Sequence, residues 1–309
     1  MMRTRRIGTL EVSVVGLGCN NFGGRLDETR SAEVVAAALD AGVTFFDTAD
    51  IYGGTRSEEI LGRALGGRRD EVVVATKFGM PVDDERRGAR PPYVQRALED
   101  SLRRLGTDHV DLYYLHAPDP QTPIADTLAA LDAAVKAGKV REIGCSNFSA
   151  VQLRQAESAV AEGAARFVCV QNEYSLLHRE PEAEVLAECE RAGLAFVPYF
   201  PLASGLLTGK YTPGQPPPPG TRLAGMPAER IAAMEPRLAV VGALTAFAES
   251  QGHSVLEVAM SWLLRRPTVA SVIAGATSAD QVRRNAAAVD WVLDDTQLAE
   301  IDKLAPAVA

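Results

Sequence analysis

Four side chains able to move a proton stand at the ends of three short apolar runs. Asp47 closes the run Val43–Phe46, and Tyr52 follows it by five residues. Lys77 follows Val72–Ala75, and His116 follows Val110–Leu115. A free phenol has a pKa of about 10 and is a poor acid at neutral pH. A buried ammonium beside it favours the phenolate and lowers that value. A carboxylate paired with the ammonium keeps it charged despite burial. An imidazole donating to the same substrate oxygen fixes a carbonyl and stabilises negative charge as it develops. Each residue also has an ordinary reading: a strand-end Asp as a cap, a solvated Lys, a core Tyr, a turn His. Arriving together at matching ends of consecutive runs, they form a proton-transfer device suited to a carbonyl oxygen that gains a proton.

The runs that carry these residues belong to a longer series. Val14–Leu17, Val43–Phe46, Val72–Ala75, Val110–Leu115, Glu142–Cys145, Phe167–Val170, Ala195–Tyr199 and Val269–Ala274 are too short for helices and rich in β-branched or aromatic residues. Helical patterns lie between them at Ser31–Ala41, Ser57–Leu65, Pro92–Leu105, Pro123–Ala137, Ser149–Ala159, Pro181–Ala192 and Ser278–Ala288. Ser149-x-x-Gln152 and Ser278-x-x-Gln281 match the capping box, and Pro123 suits a first helical position. Near-continuous apolar strands alternating with helices predict a parallel sheet covered on both faces, as a closed barrel or an open doubly wound sheet. Eight strands at a spacing of roughly 30 residues, with no composition break, favour an α/β (β/α)8 TIM barrel as a single domain over residues 1–309. Ile7–Val14, turning at Gly8-Thr9, predicts an N-terminal β-hairpin. A long loop follows strand seven, and its four consecutive prolines within Tyr211–Arg222 exclude helix or inner strand and suit a lid.

Composition narrows the partners without selecting a chemistry. The 309 residues are 47% hydrophobic and 23% charged, with a net charge of −8 and a pI near 5.2. Nucleic acid is not expected as a partner, because binding phosphates along a polyanion needs a basic face. No apolar stretch reaches the roughly 18 residues of a membrane span, and no apolar region follows Arg3, Arg5 and Arg6 as in a secretory signal. Cys19, Cys145, Cys169 and Cys189 lack CxxC spacing and read as buried free thiols of a cytoplasmic protein. His109, His116, His178 and His253 show no paired metal-ligand spacing, so no metal is expected.

The segments resemble the aldo-keto reductases. Gly42-Val-Thr-Phe-Phe-Asp-Thr-Ala-Asp-Ile-Tyr-Gly53, followed by Ser57-Glu58, looks like that family's strongest signature. Ala75-Thr-Lys77, Asp111-Leu-Tyr-Tyr-Leu-His116 and Gly144-Cys-Ser-Asn147 match its later blocks in order. The resemblance implies a nicotinamide-dependent carbonyl reductase, related to the potassium-channel β-subunit-like branch, with Tyr52 as proton donor. Lys77 and Asp47 would tune the phenol, and His116 would orient the carbonyl.

No Gly-rich dinucleotide turn exists. Gly16-Leu-Gly18-Cys-Asn-Asn21 lacks the third glycine, and Gly205–Tyr211 has the wrong spacing for a phosphate-binding loop. A barrel can instead hold phosphates after strands seven and eight, where Gly275-Ala-Thr277-Ser precedes a helix. The resemblance implies that Ser146, Asn147 and Gln171 hold a carboxamide and that Tyr199 stacks on the nicotinamide. It further places Leu202, Ser204, Gly205 and Lys210 along the pyrophosphate, and Gln281 and Asn285 on the adenosine. Gln281 also has an alternative reading as the capping partner of Ser278.

This sequence departs from the family in three places: Phe200 for a frequent Ser, Ala274 for a frequent Pro, and Thr277 where relatives use Lys or Arg to grip a 2′-phosphate. Arg222 and Arg284 could supply that charge, so NADP(H) is expected as the cofactor and NAD(H) stays open. Asn20, Asn21, Phe22 and Phe78 are expected to line a pocket for a small carbonyl substrate, an aldehyde, ketone or sugar. Two alternatives remain: a redox-sensing subunit using the same groove, and a Schiff-base aldolase acting through Lys77. Oligomeric state is not legible.

Overall fold

The computed structural model describes residues 2–212, 214–219, 221 and 223–307. It opens with an antiparallel hairpin, β1 (Thr4–Ile7) and β2 (Leu10–Ser13), around the Gly8-Thr9 turn. The hairpin begins earlier than the apolar pattern predicts: Thr4, Arg5 and Arg6 pair with Ser13, Val12 and Glu11 although they carry no apolar alternation. Eight further strands follow: β3 (Val15–Gly18), β4 (Phe45–Asp47), β5 (Val73–Phe78), β6 (Val110–Leu115), β7 (Val140–Ser146), β8 (Phe167–Glu173), β9 (Ala195–Tyr199) and β10 (Val272–Gly275). They pair in parallel and close a barrel in the order β10-β3-β4-β5-β6-β7-β8-β9. The open-sheet alternative is thereby removed.

Helices clothe the outside: α1 (Glu28–Asp40), α2 (Arg56–Leu65), α3 (Pro91–Leu105), α4 (Ile124–Lys136), α5 (Ala150–Ser158), α6 (Val185–Ala192), α7 (Ala228–Ala232), α8 (Glu235–Ser250), α9 (Val255–Leu264), α10 (Ala279–Ala287) and α11 (Asp295–Leu304). In α3 the buried Val94, Ala97, Leu98, Ser101, Leu102 and Leu105 fall at helical spacing on one face, and Gly106 ends the helix with φ +67°. Helices α7, α8 and α9 and the C-terminal α11 lie outside the helical patterns of the sequence. Helix α9 is apolar nearly all round, from Val255 to Leu264, so its sequence carries no amphipathic stripe to reveal it. The Pro181–Ala192 pattern is a short tight turn at Glu180–Glu182 followed by α6.

Two cores result. A large one lies between the strands and the helices. A small one fills the barrel itself, where Phe45, Ala75, Leu112, Tyr114, Cys169, Val197 and Ile273 meet Ile7, Leu10 and Val12 of the hairpin. The hairpin thus plugs the N-terminal end of the barrel. Arg5 fastens it there by donating to the carbonyls of Leu264 at 2.6 Å and Arg266 at 3.1 Å. With that end filled by the hairpin, the described cavity opens at the C-terminal strand ends.

Helices α2 and α3 meet at Gly62, where an added Cβ would overlap the Leu105 carbonyl. Backbone cannot yield there as a flexible side chain would. Gly62→Ala is expected to destabilise the protein by about 1–3 kcal/mol. Gly67→Ala, whose Cβ would meet open space, should change stability by less than about 0.5 kcal/mol. Urea unfolding midpoints at unchanged slope measure both.

Candidate active site

Three neighbouring strands deliver the proton-moving residues to the open end. Asp47 is the last residue of β4 and Lys77 the penultimate residue of β5, and both are almost fully buried. Their side chains form an ion pair. Lys77 Nζ also donates to the Thr48 carbonyl at 2.9 Å, and Gln171 Nε2 donates to Asp47 Oδ2 at 2.9 Å. The ammonium sits between two rings, 5.2 Å from the centre of Tyr52 and 5.8 Å from that of Tyr114. Tyr52 is carried on a tight turn after β4, with its N–H on the Ala49 carbonyl and its own carbonyl accepting from Ser57 N–H. Gly53 follows at φ +59°, and a Cβ there would overlap the Phe22 carbonyl, so the turn admits no side chain at this position. His116, just past β6, presents its ring edge-on to Tyr52 with centroids 5.8 Å apart.

Burial governs the charges. The Tyr52 phenol is pushed above its ordinary value by burial, with the Lys77 charge opposing. This corrects the expectation of a lowered phenol: Lys77 is already balanced by Asp47, so desolvation wins and Tyr52 keeps its proton at neutral pH. For Lys77, burial alone would favour the neutral amine. The Asp47 carboxylate and then Tyr52 outweigh it and hold the pKa above the usual lysine range. His116 is driven down to about 3 by burial and by the Lys77 charge, so its imidazole is neutral. Its Nδ1 is buried without a partner among the described residues, leaving Nε2 as the nitrogen able to serve the cavity.

A cavity of about 660 Å³ spreads over these groups. Beyond Asp47, Tyr52 and His116 it is lined by Ser146 at the end of β7, Asn147 just after it, Gln171 on β8 and Tyr199 at the end of β9. Leu202, Ser204, Gly205 and Lys210 line it from the β9 loop, and Gly275, Thr277, Gln281, Arg284 and Asn285 from β10 and α10. Asn20 and Asn21 also reach it. Asn147 adopts φ +62°, and its amide is held at both ends. Nδ2 donates to the His116 carbonyl at 2.9 Å, and Oδ1 accepts from the Tyr199 hydroxyl at 2.8 Å. Ser278 caps α10, accepting from Gln281 N–H, but the reciprocal half of the predicted capping box is missing. Gln281 Oε1 instead accepts from Thr277 N–H at 2.8 Å and its hydroxyl at 3.1 Å. At Ser149 the box is complete.

Two residues expected at the mouth are elsewhere. Phe78 follows Lys77 on β5, and successive strand residues face opposite ways. With Lys77 directed inward, Phe78 enters the outer core, stacked on Tyr113 at 4.8 Å. Phe22 is fully buried in the same outer core. Arg222 lies outside the described residues, but Thr221 from the proline-rich loop lines the cavity. Arg25, Met80 and Phe200 line it too. Phe200 stands out in the sequence as a departure from the family, and nothing in the spacing of Arg25 or Met80 marks them. All four cysteines are buried and free.

Behind the site Asp50 is 3% exposed, and its N–H donates to the Lys77 carbonyl at 3.1 Å. Burial, and then the nearby Glu58 charge, push its carboxyl up to about 7. Tyr93 donates to Oδ2 at 3.4 Å, while Oδ1 has no partner among the described residues.

The Aldo/keto reductase family matches residues 14–306. An uncharacterized oxidoreductase of Bacillus subtilis (strain 168), YrpG, is 36% identical, covering 96% of this chain and 93% of its own. A probable voltage-gated potassium channel subunit beta of Oryza sativa subsp. japonica is also 36% identical, covering 92% of this chain and 89% of its own. The aldo-keto reductase YhdN of Bacillus subtilis (strain 168) is 33% identical, covering 96% and 90%. Among the described residues no helix is long and apolar enough to cross a membrane.

Asp50 gives a pH test of this arrangement. A carboxyl whose folded pKa near 7 exceeds its ordinary value of 3.8 binds more protons folded than unfolded. Its contribution to stability is complete below about pH 4 and is lost as pH rises through 7. Asp50→Asn should therefore gain on the parent protein between pH 5 and pH 8 by at least about 1 kcal/mol, levelling off above pH 7. Urea unfolding at the two pH values reads this directly, and parallel pH dependences would exclude a shifted Asp50.

Proposed function

This chain belongs to the aldo/keto reductase family, and on that premise we propose that it reduces a small aldehyde or ketone, sugar-derived ones included, to the alcohol with NADP(H), Tyr52 being the proton donor. It is an oxidoreductase, and a nicotinamide cofactor follows from the family. The observation that carries the proposal is the placement of Tyr52 and His116 on one cavity wall with the Lys77–Asp47 pair directly behind them.

The donors along the cavity suit such a dinucleotide. The amides of Asn147 and Gln171 and the Ser146 hydroxyl gather at one end beside the Tyr199 ring, matching a carboxamide on a flat heterocycle. Lys210, Arg284 and the N-terminus of α10 stand at the other, matching phosphates. When bound, the reduced nicotinamide supplies the hydride accepted by the carbonyl carbon. His116 Nε2–H donates to the carbonyl oxygen and orients it, because the imidazole is neutral and still holds its single proton. Tyr52 gives its proton to that oxygen as negative charge builds there. Lys77 stabilises the phenolate left behind, and Asp47 keeps Lys77 charged for that purpose. Gln171 fixes the unpaired oxygen of Asp47 and so couples the carboxamide end to the proton donor. The phenolate regains a proton from solvent at the open mouth.

The aldolase alternative fits poorly, since an ammonium held above its ordinary pKa lacks the free amine needed for a Schiff base. The redox-sensing alternative is favoured by the likeness to the plant channel subunit, and measurable turnover separates the two.

Tyr52→Phe is expected to lower the rate of NADPH-driven aldehyde reduction by about 10²–10⁴-fold while leaving NADPH binding, read by fluorescence, intact. Equal turnover by the variant would overturn the proton-donor assignment. Arg284→Ala should weaken NADPH about tenfold and leave NADH unchanged, as expected for a lost contact to a 2′-phosphate. Equal affinity of the parent protein for the two cofactors would remove the preference for NADP(H).

A further inference from the structure

The cavity is unusual in its charge. Its acidic lining residue among those described is Asp47, which is held by Lys77, and His116 beside it is neutral. Three cationic side chains, Arg25, Lys210 and Arg284, face the same space without an ion-pair partner among the described residues. In a chain of net charge −8, with carboxylates abundant, such a concentration calls for an anionic ligand. Lys210 and Arg284 stand on the β9 and α10 segments, where the proposed function puts the cofactor's phosphates. Arg25 is left over.

The loop that carries Arg25 is well fixed. Asn21 Nδ2 donates to the Ala276 carbonyl at 3.2 Å, and Gly23 N–H donates to the Leu26 carbonyl at 2.9 Å. Arg56 holds the Gly23 carbonyl, and Gly23 packs against Gly53, the residue after Tyr52. The loop therefore spans from the β10 loop to the Tyr52 turn, and its strand β3 lies between β10 and β4 in the barrel. Arg25 itself is exposed, with no hydrogen bond or ion pair among the described residues. The nearest carboxylate in sequence, Asp27, is occupied in capping α1, accepting from Arg30 N–H at 2.9 Å.

We propose that Arg25 is a specificity residue that pairs with an acidic group of the carbonyl substrate, so that the preferred substrates are aldehydes or ketones bearing a carboxylate or phosphate. A guanidinium matches either anion with two parallel N–H donors, which a neutral substrate cannot use. Its loop packs on the Tyr52 turn through Gly23, and Arg25 and Tyr52 line one cavity, so an anionic group and a reacting carbonyl of one substrate can share that space. The assignment rests on the reductase reading above. The same chemistry could be satisfied by the cofactor's pyrophosphate, and the test separates the two sources.

The experiment compares 4-carboxybenzaldehyde with 4-methylbenzaldehyde under saturating NADPH in the parent protein, Arg25→Gln and Arg25→Lys. The parent should favour the carboxylate by about tenfold or more in kcat/KM, and added salt should shrink that ratio. Arg25→Gln should lose the preference through KM while reducing the methyl compound within about twofold of the parent, and Arg25→Lys should recover part of it. Equal use of both aldehydes by the parent overturns the proposal. So does an Arg25→Gln variant that loses NADPH affinity and slows both aldehydes alike, an outcome that assigns Arg25 to the cofactor. Failure of the parent to reduce either aldehyde counts against the reductase reading. In that event calorimetric binding of 4-carboxybenzaldehyde still decides Arg25, which stands only if the parent binds it and Arg25→Gln does not.

Discussion

The buried pair between Lys77 and Asp47 is the contact around which this end of the barrel is organised. Two charges taken out of water cost several kcal/mol each unless their remaining hydrogen-bonding capacity is met. Here it is met by the Thr48 carbonyl and the Gln171 amide, one from the end of β4 and the other from β8. The pair can exist only where the barrel closes and brings strands 124 residues apart in sequence into one layer. Its consequences spread outward. It keeps the ammonium charged, drives the neighbouring imidazole neutral, and leaves burial to decide that the phenol stays protonated. The ion pair and the burial around it thereby set the protonation of two neighbours, His116 and Tyr52.

Around that pair the charge of the site opposes the charge of the molecule. The chain as a whole repels anions, while the cavity presents Arg25, Lys210 and Arg284 to them. Exposed charges farther away than a Debye length of about 8 Å are screened at physiological salt, so the local cations prevail inside the cavity. A net charge read from composition therefore speaks to nucleic acid and other broad polyanion partners and says little about a small anionic ligand.

Much of the architecture was legible because it rests on local pattern. Eight apolar runs and a two-residue turn gave the strands and the hairpin, and the helical stripe of α3 gave its buried face. Helix α9 escapes because it is apolar nearly all round, and the Gln281 side-chain carbonyl serves Thr277 where the motif predicts the Ser278 N–H. Both misses have one cause: periodicity reports a half-buried surface and does not report which of two nearby donors a side chain will choose. Phe78 is the converse case, where the strand alternation that places Lys77 inward could have placed Phe78 outward.

By itself the sequence determined the barrel, the strand ends and the identity of the residues standing on them, because side-chain pattern and motif spacing are properties of the chain. Tertiary structure decided the sign of the Tyr52 shift, the neutrality of His116, the coupling of Gln171 to Asp47 and the isolation of Arg25 in a cationic cavity. Each of these depends on how much water is removed and which distant group takes its place. Those quantities exist only once β3 to β10 have closed on one another.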